Sequence, residues 1–238
     1  VLVSAVNGSS SVTAPVAVSS VRPGRSSTAA GTGLAALTAD PSARIAPNAV
    51  ISGDVEIGPN TSVGYGAVIV AESGPVRIAG DCVIMENAVL RGIRGFDLEI
   101  GPFSLIGPRA VLNGCRVGRE CFVATGATIF NGAVIGDRSE IRINAVVHLR
   151  SRIDPGAMVP IGWVAVGDPA RILPPDQHDA IWAVQKDLDF PGQVFGVGRP
   201  AAGETFMPQV IPKYAAFLRR RHATDVHGGT AQGKVWGL

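Results

Sequence analysis

A period of six residues constrains this chain more than anything else in it. Ile45, Ile51, Ile57, Val63 and Ile69 fall six apart, and Ile78, Ile84 and Leu90 follow. The pattern continues through Ile100, Ile106 and Leu112. After one five-residue step it resumes at Val117 and runs through Val123, Ile129, Ile135, Ile141, Val147, Ile153 and Val159, where it stops. A repeat of six matches neither the 3.6 of an α-helix nor the 2 of an ordinary strand. Ala49, Ala67, Ala88, Ala110, Ala127, Ala133 and Ala145 recur four positions after an aliphatic residue, and Gly, Asn, Asp or Pro fill the gaps, as in Ile57-Gly58-Pro59-Asn60. Periods of this kind belong to β-solenoids. Each hexad supplies one short strand and one corner, and the aliphatic residue points inward. Three hexads close a coil, and each coil buries its interior only against the coils beside it. The expected fold class is all-β: a parallel β-helix over residues 43–172, with about six or seven coils.

The rest of the chain divides around that array. Residues 1–42 are rich in Ser, Ala, Gly, Thr and Val with almost no charge. They bury too little to offset the entropy of ordering them, so a disordered arm is expected. Arg22 and Arg25, with no acid before Asp40, admit a targeting peptide as the rival reading, but the segment has no amphipathic helix. Two insertions interrupt the period, Ala71 to Pro75 and Gly92 to Asp97. In a solenoid such insertions emerge as loops, often on a binding face. Pro174-Pro175-Asp176 predicts a helix over 173–190, packed along the prism through Ile181, Trp182, Val184, Gln185 and Leu188. Residues 191–238 form a partly ordered extension, with Phe190, Val194, Phe195 and Val197 facing the prism or a neighbour. A second helix is expected from Ile211 through Arg221, its Arg219-Arg220-Arg221 triplet complementing the C-terminal dipole, and 228–238 are expected to be unstructured.

Composition narrows the class. Lys and Arg number 21 against 19 Asp and Glu, a net charge of +2, which predicts no nucleic-acid partner. Hydrophobic residues make up 46% but aromatics only 5%, so the core must be aliphatic and narrow. Cys82, Cys115 and Cys121 are odd in number and lack CxxC spacing, which argues against disulfides and ribbon-type zinc and for small buried side chains. No apolar run reaches the 18–20 residues of a membrane span, and Val1 to Val6 is too short for a signal-peptide core. The chain does not begin with Met, so residues upstream can be missing. A cytoplasmic protein is the expectation.

Within this frame, residues 44 to about 172 resemble the gamma-class carbonic anhydrase family. The resemblance rests on Ala46-Pro47-Asn48-Ala49 with Gly53-Asp54-Val55, on Tyr65-Gly66-Ala67-Val68, and on Val111-Leu112-Asn113-Gly114-Cys115 before the five-residue step. Thr125-Gly126-Ala127-Thr128 and Gly167-Asp168-Pro169-Ala170-Arg171 extend it. The resemblance implies a left-handed helix and a homotrimer with sites between neighbouring prisms. It also implies a metal held by three histidines, and there this sequence departs. The positions matching the three ligands are Arg91, Pro108 and Asn113. Proline offers no donor atom, asparagine a weak one, and a guanidinium repels a cation. The family's Arg-Gly-Asp matches Val70-Ala71-Glu72, and Met85 stands for its glutamine. No metal and no other cofactor is expected.

Three functions compete. The first is a metal-free homotrimeric binding or assembly subunit, in which Arg91 takes the place of the metal charge. Glu72 or Glu86 would hold it, and with Arg109 and Asn113 it would receive a small carboxylate or bicarbonate. Its bland counterpart is a structural ion pair of Arg91 across the trimer interface. The second is a hexapeptide-repeat acyltransferase using acetyl-CoA or another acyl-CoA, with His148 as the base. His148 is otherwise a corner or edge residue, and Asn144 to Leu149 does not resemble the acceptor motif of those enzymes. The third is a carbonic anhydrase with substitute ligands Glu86, Asn113 and His148, which form no recognisable triad.

Overall fold

A computed structural model describes residues 37–222 of the chain. Within it the protein is a left-handed parallel β-helix of three sheets. Successive hexads visit the sheets in turn, so within the coils sequence neighbours do not pair and every parallel ladder joins strands one coil apart. The third sheet, which positions the site, contains Val50–Ser52, Val68–Ala71, Val89–Gly92, Val111–Asn113, Thr128–Ile129, Val146–Val147 and Val164–Val166. Arg171–Leu173 then turns back antiparallel on Val164–Val166 and closes that end of the sheet.

The registers follow the period. Ile69 pairs with Leu90, Leu90 with Leu112, Leu112 with Ile129 and Ile129 with Val147, all five fully buried. Burial of one such side chain stabilises by about 1.5–3 kcal/mol. The residue four after each inward aliphatic fills a second buried slot. Ala67, Ala88, Ala110, Ala127 and Ala145 occupy it, as do Thr61, Cys82, Ser104, Cys121 and Ser139. Cys82 and Cys121 thus stand where other hexads place alanine or serine, and all three cysteines are free and buried. Between the two slots the chain turns a corner whose third residue has a left-handed backbone. At Gly64-Tyr65-Gly66-Ala67 the Ala67 N–H donates to the Gly64 carbonyl at 3.3 Å, and Gly66 has φ +68°. Asn60, Asn87 and Asn144 take the equivalent place at φ 55–57°, a region asparagine tolerates.

Several expected boundaries shift. The solenoid begins at Thr38–Ala39, which pairs with Val55–Ile57, ahead of the expected start at 43. Residues 1–36 of the expected arm, and the tail 223–238, lie outside the described residues. The period does not end at Val159 but carries on to Ala165, six residues later and fully buried. Alanine there hid the hexad from an aliphatic search. The helix expected over 173–190 is shorter: α1 is His178–Gln185, continued by a 3-10 turn at Lys186–Leu188, and Pro174 to Gln177 form the turn before it. A π-turn follows at Pro191–Phe195, and the second helix, α2, is Met207–His222, longer than expected. Pro208 lies in its first turn, where a missing N–H costs little.

Leu112 lies mid-array with a buried neighbour on each side. Replacing it with Ala is expected to cost about 2–5 kcal/mol. A lowered urea midpoint with unchanged far-ultraviolet circular dichroism checks this, and an unmoved midpoint would contradict the stacked core.

Candidate functional site

The site grows from the residue that follows each inward aliphatic in the third sheet. Strand geometry points it outward. Val70, Arg91 and Asn113 are register partners in this column, about 4.8 Å apart along the hydrogen-bonding direction. Phe130 and His148 continue it, following the paired Ile129 and Val147. The expectation that Arg91 and Asn113 lie together therefore matches their placement in the ladder.

The first insertion brings the acid. It folds back on the neighbouring coil, where the Glu72, Ser73 and Gly74 N–H groups all donate to the Gly92 carbonyl at 2.9–3.3 Å. A β-carbon on Gly92 would meet the Gly74 carbonyl oxygen at 2.2 Å, so this approach requires glycine. Glu72, its side chain only 10% exposed, receives Nε of Arg91 at 2.9 Å and Nη2 in a second contact with the same carboxylate oxygen. Nη2 also donates to the Tyr214 hydroxyl of α2 at 3.1 Å. Burial opposes the charge on Arg91, but the bonds to Glu72 and Tyr214 outweigh it and raise the guanidinium above its ordinary value.

Of the two acids proposed to hold Arg91, Glu72 does so. Glu86 and Arg109 stack on each other at the corner entering the third sheet, the Arg109 N–H donating to the Glu86 carbonyl at 3.0 Å. Both side chains are exposed, and among the described residues Arg91 bonds to Glu72 and Tyr214 rather than to either. Asn113 offers a different feature: its Oδ1 is buried with no hydrogen-bond partner among the described residues. No group of three or more His, Cys, Asp or Glu lies together in a metal-holding arrangement among the described residues.

His148 is 6% exposed. Gln185 of α1 contacts its Nε2 at 2.9 Å, and Phe130 and Phe190 pack on its ring at centroid distances of 5.7 and 6.4 Å. With the amide nitrogen donating, the imidazole proton sits on Nδ1, which is buried and unpartnered among the described residues. The segment after the solenoid thus lies on the same outward column, reaching His148 through Gln185 and Phe190 and Arg91 through Tyr214. Sequence reasoning missed Tyr214, Phe130 and the pairing of Gln185 with His148. Val210, Tyr214 and Phe217 fall at i, i+4 and i+7 of α2, the one local signal that Tyr214 faces something.

The other two sheets present contrasting faces. On the first, Glu56, Arg77, Glu99 and Arg116 are successive register partners, an alternating charge ladder of solvent-exposed pairs. On the second, Val83, Leu105 and Phe122 are successive register partners, with Glu140 between Phe122 and Met158; Val83, Phe122 and Met158 stand 40%, 40% and 49% exposed.

Two outcomes follow from this geometry. Arg91→Met leaves Glu72 charged and nearly buried, and should destabilise by about 3 kcal/mol, whereas Arg91→Gln with Glu72→Gln removes both charges and should cost far less. Thermal unfolding of the two variants checks the difference. Burial also lowers the His148 pKa from its ordinary 6.5. A lowered folded value means that the unfolded chain takes up the proton first as pH falls. The stability that neutral His148 contributes is therefore full above about pH 6.5 and lost as pH drops toward the folded value. The unfolding midpoint should fall between about pH 7.5 and about pH 5.5, and less steeply in His148→Leu. Identical slopes would contradict a buried neutral imidazole.

No family model matches the chain. Among known proteins it is similar to gamma carbonic anhydrase 1, mitochondrial, of Arabidopsis thaliana, 28% identical over 190 residues, covering 77% of this chain and 66% of that one. It is also similar to the carnitine operon protein CaiE of Escherichia coli K12, 30% identical over 133 residues, covering 56% and 65%. The chain thus spans just under two thirds of the length of these relatives. Among solved structures, a hexapeptide transferase family protein from Anaplasma phagocytophilum is 28% identical, covers 64% of this chain and 86% of that one, and has a TM-score of 0.33. The resemblance read from the residues holds: the relatives of this chain include gamma carbonic anhydrases and CaiE proteins.

Proposed function

We propose that this protein is a metal-free, gamma carbonic anhydrase-like homotrimer that binds a small carboxylate or bicarbonate beside Arg91, as a binding or assembly subunit without carbonic anhydrase activity. The observation that carries the reading is the Arg91–Glu72 pair on the rung next to Asn113. A cation at this place would face a guanidinium already committed to a carboxylate and, on the next rung, an amide oxygen, a weak donor. The donor set does not fit the metal that the relatives' fold implies, and zinc-hydroxide chemistry, which needs a metal-lowered water pKa, has no support from these residues. The same groups suit an anion. Arg91 has two further N–H donors on Nη1, and the guanidinium fork matches a carboxylate or bicarbonate.

The run of Val83, Leu105 and Phe122 on the second sheet, with Val83 and Phe122 each 40% exposed, supports association with copies of the same chain through that patch. In such a trimer the exposed corner of Glu86 and Arg109 is available to a neighbour's site. Three free buried cysteines fit a reducing compartment, and we place the protein in the cytoplasm. No helix among the described residues is long and apolar enough to cross a membrane. Acyl transfer from an acyl-CoA is less well supported, because its base must reach an acceptor, and His148 is enclosed by Gln185, Phe130 and Phe190.

Calorimetric titration with bicarbonate and acetate, alongside a carbon dioxide hydration assay, tests this reading. The parent protein should bind at one site per chain and show no hydration above buffer. The Arg91→Gln, Glu72→Gln double variant, which strands no buried charge, should lose binding while remaining folded. Hydration activity, or binding unchanged in the double variant, would overturn it.

A further inference from the structure

The Arg91 site holds two side chains whose bonding capacity is partly unused among the described residues: Tyr214, which contacts the guanidinium, and Asn113, on the adjoining rung. Asn113 is the register partner of Arg91 on the adjoining strand, so both project from one face about 4.8 Å apart. Its Oδ1 is buried and receives no hydrogen bond among the described residues. A buried acceptor left without a donor costs about 1–3 kcal/mol, which is recovered when a ligand supplies the donor. The second side chain is Tyr214. Its oxygen accepts from Arg91 Nη2 at 3.1 Å, which leaves its own O–H free to donate. The ring stacks on Phe217 at 6.1 Å, Tyr214 as a whole is 36% exposed, and Val210, one turn earlier in α2, is 4% exposed.

These groups form an asymmetric set. Arg91 Nη1 and the Tyr214 hydroxyl are donors and suit the two oxygens of a carboxylate. Asn113 Oδ1 is an acceptor, and a plain carboxylate has nothing to give it. A small anion that carries a hydroxyl next to its carboxylate satisfies all three. Building on the anion-binding reading above, we infer that Tyr214 and Asn113 are specificity-determining residues of the Arg91 site, and that the site selects small hydroxylated carboxylates over simple ones. Tyr214 acts on any carboxylate through its donor. Asn113 acts only on the hydroxyl, so the two contributions separate.

Acetate and glycolate differ by one hydroxyl and serve as the probes. Each is titrated calorimetrically into the full-length parent, Asn113→Leu and Tyr214→Phe. Circular dichroism and sedimentation confirm that the variants keep the parent's fold and assembly. The parent should favour glycolate about tenfold, the effect of one satisfied buried acceptor. In Asn113→Leu the ratio of the two affinities should fall to near one. In Tyr214→Phe both affinities should drop with the ratio kept. Equal binding of the two anions by the parent, or a preference that survives Asn113→Leu, overturns the inference while anion binding at Arg91 stands. Binding of neither anion overturns the anion-binding reading itself, and this inference with it.

Discussion

In a parallel ladder of short strands, the aliphatic residue that each hexad sends into the prism must meet its counterparts one coil above and one below. Everything else in this structure depends on that stacking. It fixes the register of three sheets at once, since a one-residue slip in any of them would turn its aliphatic residue out to solvent. It leaves a second, corner slot four places later that most hexads fill with a small residue, such as Ala67, Cys82 or Ser104. It also fixes what the outside looks like, because the residue after each inward aliphatic must face outward, beside its equivalent on the next coil. Arg91 and Asn113 are neighbours for the same reason that Leu90 and Leu112 are.

This explains why the fold was largely legible and the site only partly so. A period of six is written into the chain, and its inward positions prove buried from Ile57 to Ala165. Where the reading fell short, a side chain had departed from the type the period leads one to seek: Ala165 filled an inward slot without being a large aliphatic. The column of Val70, Arg91 and Asn113 could be derived from the register. The hold of Glu72 on Arg91 was one of two options in the sequence, and choosing between them required the fold of the Ala71 to Pro75 insertion. Tyr214 was out of reach, because it contacts Arg91 from 123 residues away through a segment with no repeat to place it. His148 was judged from its local context, yet Gln185 and Phe190 of the later segment are what bury it.

The same scaffold logic shows how a site can change while a fold does not. Outward positions in the third sheet contribute nothing to the axial core, so an imidazole and a guanidinium are equally compatible with the stack behind them. What must change along with the guanidinium is its surroundings. Here an acid held on the Gly92 carbonyl and a phenol from α2 absorb the charge that Arg91 brings into a half-buried place. The outward column thereby becomes the place where the C-terminal segment meets the solenoid, at Arg91 and again at His148.

On the proposed reading, Arg91 and its partners supply the charge at this position in place of a metal ion. Elemental analysis of the purified protein, expressed in medium supplemented with zinc, iron and cobalt and then dialysed without chelator, tests it most directly. A metal-free site should give far less than one metal atom per chain, with no change in thermal midpoint on adding those metals. Stoichiometric metal that survives dialysis and raises the midpoint would contradict it and would mean that other residues have rebuilt the site.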